Sequence, residues 1–273
     1  MRLRVVTLNV QNEEGPPERQ GALNRVLRDL SADVVALQEV ASAGHLERLL
    51  GGTGLHGTHQ SRVLAYEPPF ADRYGGTALA TRWPHRVVEA LDQRQSDAPD
   101  VPWCTLAAVL ALPGLGEMLV VATTFSWRLD AEAARERQAL AVADLDARHR
   151  RTLPTIVAGD LNASPDAACV RFLAGAQSLH GRSAHYHDAW AVAGRGPGHT
   201  WTVDNPAAAA EIGTLVRQPG HRRRIDYVLV GSWHRHPDAR AEVRAAALVG
   251  DHPVDGVWIG DHFGVVADLD VAV

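Results

Sequence analysis

The chain is expected to adopt an α/β (α+β) fold of two packed β-sheets covered by helices. Short β-branched apolar runs outnumber helical stretches, and several of the helices separate pairs of strands. No repeat, linker or shift of composition divides the 273 residues, so a single domain over 1–273 is expected. A chain of this length can bury one large core.

The elements follow in order. A first strand over Leu3–Leu8 runs into Asn9, Val10 and Gln11, and Glu13–Pro17 is a polar loop. Leu23, Val26, Leu27 and Leu30 recur at helical spacing and place a helix over about Glu18–Leu30. Asp33–Leu37 is a second buried strand, with Gln38 and Glu39 at its end. Ala43–Leu50 reads as a short helix and Gly51–Pro69 as loop. Gly75–Arg82 is a small-residue strand ending in Arg82, before Trp83 and Pro84 punctuate the chain. Gln93–Trp103, polar and proline-broken, reads as a surface loop. Thr105–Leu112 and Met118–Thr124, joined around Pro113 and Gly114, read as a hairpin.

Asp130 is a candidate N-cap for a helix with Glu132 in its first turn and Arg148, Arg150 and Arg151 at its far end. That charge order suits the helix dipole, so these arginines are not read as a nucleic-acid patch. In the stretch Leu153–Asp166, LPTIVAGDLNASPD, a strand over Thr155–Ala158 is expected to end at Gly159. Asp160 and Asn162 then follow two apart and share a face if the segment stays extended. Pro165 can open a helix through about Ala174. Ser178–Gly198 reads as loop, with His180, His185, His187 and nearby His199 matching no zinc motif. Ile225–Val230 is a strand with Asp226 at its beginning, just after Arg222, Arg223 and Arg224. The chain closes with Gly260–Gly264 and a strand over Val265–Val271.

A hydrophobic fraction of 46% with 22% charged residues is that of a soluble globular protein. The net charge of −5 argues against a generally basic, nucleic-acid-coating surface. Cys104 and Cys169, without a CxxC, indicate neither a disulfide framework nor a cysteine zinc site. No run approaches the roughly 20 apolar residues of a membrane span, and Met1–Val10 is too short for a signal segment. A cytoplasmic monomer is expected. With 4 Tyr and 4 Phe there is little support for extended single-strand stacking, although 7 Trp leave room for an aromatic platform.

Asn9, Glu39, Asp160, Asn162, Asp226, Asp261 and His262 each lie at or near the end of an apolar strand, which suggests one shared cleft. Carboxylates and amide oxygens are hard ligands suited to Mg²⁺ or Mn²⁺. Asp226 could accept a hydrogen bond from one nitrogen of His262, leaving the other to face a phosphate or a reacting atom. Asp160 could orient or deprotonate a water, and Asn162 could hold that water or a phosphate oxygen.

The motifs LNVQ, LQEV, ALATRWP, VAGDLNASPD, RIDYVLV and GDHFGVVADL occur in an order that resembles the endonuclease/exonuclease/phosphatase superfamily, the DNase I-like fold. The resemblance runs from Leu8 to Leu269. It implies a four-layer sandwich of two mostly antiparallel β-sheets flanked by helices, with the active site at one edge. It also implies Mg²⁺- or Mn²⁺-dependent cleavage of a phosphoester by in-line attack of water. Carried over residue by residue, Asn9, Glu39 and Asp261 are expected at the metal site. Asp160 matches the water-activating aspartate, Asn162 the orienting asparagine, His262 the catalytic histidine and Asp226 its partner. Arg82, Trp201 and Asn205 are expected on the substrate side, the last two within a loop resembling one in bacterial relatives.

The chain leaves the family pattern in ATTFSWRLD, Ala122–Asp130, where relatives usually carry a second histidine and this sequence has Thr124. Thr124 is expected to face the cleft, where a hydroxyl can donate a hydrogen bond but cannot act as an imidazole acid. A different leaving group, a repurposed reaction or an introduced substitution would each account for it. Three functions stand open: a metal-dependent phosphodiesterase or phosphomonoesterase, a repurposed enzyme acting on a small phosphorylated metabolite in a biosynthetic pathway, and a catalytically silent binding module. The substrate side leaves small-molecule, lipid-headgroup and nucleic-acid phosphoesters open.

Overall fold

The computed structural model describes residues 1–64, 75–97 and 103–273. The first part of the chain runs β1 (Arg2–Asn9), α1 (Glu18–Leu30), β2 (Val34–Val40), α2 (Ala43–Leu49), β3 (His56–His59) and β4 (Gly76–Thr81). The middle runs β5 (His85–Asp92), β6 (Cys104–Leu112), β7 (Gly116–Thr124), α3 (Glu132–His149), β8 (Leu153–Asp160) and α4 (Ala168–Leu173). The last part runs β9 (Tyr186–Asp188), α5 (Ala189–Ala193), β10 (Trp201–Thr202), α6 (Pro206–Leu215), β11 (Arg222–Arg223), β12 (Asp226–Gly231), β13 (Arg240–Val249) and β14 (Gly264–Ala272).

Two six-stranded sheets carry the fold, ordered β13-β14-β1-β2-β4-β3 and β5-β6-β7-β8-β12-β9. Each is antiparallel except for one central parallel pair, β1 with β2 and β7 with β8. The largest core lies between the sheets, with Val5, Val34, Leu106, Val120, Ile156 and Val228 among its fully buried members. A second apolar layer packs α3 and α4 against the outer face of the β7–β8 sheet through Val142, Leu145, Phe172 and Val121. A third packs α1 and α2 against the β1–β2 sheet through Leu23, Leu27, Leu46 and Val35. Helix, sheet, sheet, helix is the four-layer sandwich expected. Among the described residues no helix is long and apolar enough to cross a membrane.

The helix α1 covers the predicted span because its leucine stripe is unambiguous. The hairpin reading also holds, with β6 and β7 antiparallel. Gly159 does not end its strand. It pairs with Thr123 within β7–β8, and a Cβ there would lie 1.9 Å from the Thr123 carbonyl oxygen, so only glycine lets the two strands approach. Asp130 does not cap α3; the N-cap is Ala131, without a side-chain hydrogen bond. The second short helix begins at Ala168 rather than at Pro165. Ser178–Gly198 is not all loop, since it contains β9 and α5. Gly51–Pro69 is likewise not all loop, since it contains β3; its residues 65–69, and residues 98–102 of the Gln93–Trp103 stretch, lie outside the described residues.

Candidate active site

The parallel pairs decide where polar side chains gather. The C-terminal ends of β1, β2, β7 and β8 meet at one edge of the sandwich, between the sheets. β1 brings Asn9 there, and the end of β2 brings Glu39 through a register shift between Leu37 and Val40. Glu39 has a φ of +57°, an uncommon backbone state for a side-chain-bearing residue. β8 delivers Asp160 directly opposite Asp226 of the antiparallel β12. The chain then turns at Asn162, whose φ of +49° is a state asparagine tolerates.

Short hydrogen bonds join these groups. The Asn9 amide nitrogen donates to Glu39 Oε1 at 3.0 Å and lies 3.5 Å from Asp160 Oδ2. The Asn9 oxygen accepts from the backbone N–H of Gln11 at 2.9 Å. Asn9 is therefore placed as a bridge between two carboxylates, with its nitrogen rather than its oxygen turned to them. The Asn162 N–H donates to Asp160 Oδ1 at 2.8 Å, and the Asn162 side-chain amide donates to the Phe125 carbonyl at 3.2 Å. His262 Nδ1 lies 3.0 Å from Asp226 Oδ2.

Burial sets the electrostatics. The Glu39 carboxyl is pushed up to about 8, first by burial and then by the neighbouring Asp261. Burial and the charge of Asp226 push Asp160 up to about 7. Burial also opposes charge on His262, but Asp226, Asp261 and Asp160 together raise its pKa well above the ordinary imidazole value. Glu211, on α6, is pushed up to about 7 by its surroundings and by contact with Asp261.

These carboxyls line a cleft of about 840 Å³. Trp103, Trp127 and Trp201 form parts of its wall, and Arg223 also lines it. Two groupings at this cleft suit a cation, one of them reaching behind the lining to the buried Asp226. Ligand atoms of Asp160, Asp226 and His262 all lie within 4.8 Å of one another. In that group, however, His262 Nδ1 and Asp226 Oδ2 face each other and Asp160 Oδ1 already accepts from Asn162. Glu39, which accepts from Asn9 through Oε1, and Asp261 form the second grouping; among the described residues both Asp261 Oδ1 and Asp226 Oδ1 are buried without a hydrogen-bond partner. An unsatisfied buried carboxylate oxygen beside a second carboxylate is a donor set for a hard divalent cation.

Three sequence expectations are corrected. Arg82 lies at the opposite edge, because β4 runs antiparallel to β2 and ends beside the start of that strand. Its guanidinium pairs with Asp33 at 2.7 Å. Thr124 sits beside Asp160 in register but is fully buried and hydrogen-bonds Thr77 Oγ1 at 3.0 Å, outside the cleft lining. Asn205 is also fully buried: its oxygen caps α6 at Ala207 and its nitrogen donates to the Gly260 carbonyl at 2.9 Å. Trp201 does line the cleft, held against His221 at 5.4 Å between ring centres.

Sequence reasoning missed Arg19, Arg223 and Glu211 as site residues. Arg19 is buried and donates to the carbonyls of Val10, Gln11, Asn12, Glu14 and Ile259, fixing the loop behind the carboxylates. Its signal was available, because Arg19 lies four residues before Leu23 on the buried stripe of α1. Glu211 carries no such signal. It stands in an alanine-rich helix inserted between two two-residue strands.

The fold and the cleft define a class. The sequence pattern of the Endonuclease/Exonuclease/phosphatase family matches residues 6–262, and the chain belongs to that family. The fold is similar to a humanized D. rerio TDP2 carrying 14 mutations, at 19% identity and a TM-score of 0.71, covering 98% of this chain and 99% of that one. It is similar at 18% identity, the same TM-score and the same coverage to D. rerio TDP2 complexed with a single-strand DNA product. An endonuclease/exonuclease/phosphatase from Bacteroides vulgatus matches at 20% identity and a TM-score of 0.69, over 100% of both chains. No curated protein matches the sequence.

Proposed function

We propose that this chain is a cytoplasmic, divalent-metal-dependent phosphoesterase that cleaves its substrate by in-line attack of water. The observation that carries this is the meeting of Asp160, His262, Glu39 and Asp261 in one cleft, with the buried Asp226 behind them and ligand atoms of Asp160, Asp226 and His262 within 4.8 Å of one another. Asp160 acts as the base, and a carboxyl pushed up to about 7 is matched to proton abstraction near neutral pH. The Asn162 N–H fixes one oxygen of that base, and the Asn162 side chain, anchored through its nitrogen to the Phe125 carbonyl, would turn its oxygen to the attacking water. Asp226 holds His262 by Nδ1 and favours its charged form, so that Nε2 can donate to a phosphoryl oxygen. Glu39 and Asp261 would hold the cation, Mg²⁺ or Mn²⁺. When bound, it neutralises charge on the phosphoryl oxygens and the leaving group. Cys169 is a buried free thiol, which suits a reducing compartment.

The test is a panel of phosphomonoesters, phosphodiesters and oligonucleotides with Mg²⁺, with Mn²⁺ and with excess chelator. Oligonucleotides belong in it because one structural neighbour holds a DNA product. Metal-dependent turnover on at least one member is expected. Full activity in chelator would remove the metal, and no turnover on any substrate would remove the hydrolase. Turnover confined to small phosphorylated metabolites would favour the repurposed-enzyme alternative raised by Thr124.

A further inference from the structure

Three consecutive arginines precede β12, and the fold sends them to three different places. Arg222 lies at the surface and forks onto Asp204 at 2.6 and 2.7 Å. Arg224 is buried, pairs with Asp188 at 2.7 Å and lies over the Tyr227 ring. Arg223, between them, lines the cleft with Asp160, Asn162 and His262.

The partners of Arg223 are neutral. Its Nε donates to Ser164 Oγ at 3.1 Å and its Nη2 to the Asn162 carbonyl at 2.9 Å. Among the described residues no carboxylate lies within ion-pair distance of it, and Nη1 makes no hydrogen bond. Both anchors belong to the turn that carries Asn162, so the guanidinium is fixed relative to Asp160. Arg128, another arginine lining the cleft, is exposed and pairs with Asp130 at 3.3 Å.

A phosphate anion entering this cleft meets the carboxyls of Glu39, Asp160, Glu211 and Asp261. Each of these carboxyls that is ionised opposes binding unless cations compensate. A partly desolvated guanidinium held only by neutral acceptors keeps its charge available, and its planar fork matches two phosphoryl oxygens. We propose that Arg223 binds the substrate's phosphoryl group in this cleft. The proposal rests on the phosphoesterase reading of the same site.

Arg223→Gln and Arg223→Lys test it, compared with the unaltered protein on the substrate that the panel identifies. We expect Arg223→Gln to raise both KM and the inhibition constant of inorganic phosphate roughly 10- to 100-fold, the range of a lost charge-assisted hydrogen bond. Arg223→Lys should recover only part, and added guanidinium ion should partly rescue Arg223→Gln. If both variants lower Tm and kcat while phosphate inhibition stays unchanged, Arg223 only braces the turn and the proposal is overturned. Should the unaltered protein hydrolyse nothing, the phosphoesterase reading fails by itself. Calorimetric titration of the Mn²⁺-loaded protein with inorganic phosphate then decides: binding lost in Arg223→Gln upholds the phosphate site, and equal binding, or none to either protein, removes it.

Discussion

Asp160 and Asp226 stand directly opposite each other on neighbouring strands, and both are almost fully buried. Two carboxylates so placed disfavour each other's ionisation, and burial adds to that. His262 contacts Asp226 at 3.0 Å, and its charge also favours ionisation of Asp160, though less than burial and Asp226 oppose it. Asp226 is the acid paired with the imidazole, and Asp160, pushed up to about 7, is the one placed to take a proton. We expect Asp160→Asn to lower kcat by roughly 10²- to 10⁴-fold, as when a positioned base is lost, with KM little changed. Asp226→Asn should reproduce a milder form of the His262→Ala defect. The double variant should lose far less than the product of the two, because the residues act as a unit. Steady-state kinetics on all three variants check this; multiplicative losses would mean that Asp226 merely finishes a strand.

At the scale of elements, strands and helices with one clear apolar period were legible and edge strands were not. β5 and β13 went unread, and each lies at the edge of its sheet. β13, RAEVRAAALV, is largely solvent-facing, so arginine, glutamate and alanine replace the apolar run that marks a central strand. Site residues followed a similar division. Glu39, Asp160 and Asp226 stand out as candidates because each is a polar residue at one end of a buried strand. Arg82 met the same criterion and failed, because strand direction, which the sequence does not display, puts its end at the far edge. Asn205 carried a helix-capping signature in Asn-Pro that competes with any substrate role. Asn205→Ala is expected to cost about 0.5–2 kcal/mol, the value of an N-cap, measured by denaturant midpoint. It should also lower kcat, because the Gly260 carbonyl beside Asp261 and His262 loses its anchor. A rise in KM with no change of midpoint would instead return Asn205 to the substrate side.

The two sheets repeat one plan, a central parallel pair inside an antiparallel sheet, and the site stands where the ends of both pairs converge. Its acidic groups therefore come from both halves of the sandwich, and their mutual repulsion links pH, metal and stability across the molecule. Glu39 is raised from 4.5 to about 8, chiefly by burial and then by the charge of Asp261. For an acid shifted upward, the stabilising contribution is full below about 4.5 and is lost as pH rises through about 8. His45 acts in the opposite window. Burial lowers its pKa from 6.5 to about 4, so its contribution is present above 6.5 and is lost as pH falls towards 4. A cation that needs Glu39 ionised must displace its proton below pH 8, so metal affinity should climb with pH by up to about tenfold per unit for each proton released. We expect the Mn²⁺ dissociation constant to fall between pH 6 and pH 8, with proton release visible as a buffer-dependent binding enthalpy. The rise in Tm on adding Mg²⁺ should be larger at pH 8 than at pH 6. Equal affinity at both pH values, with no buffer dependence, would show that Glu39 does not hold the metal.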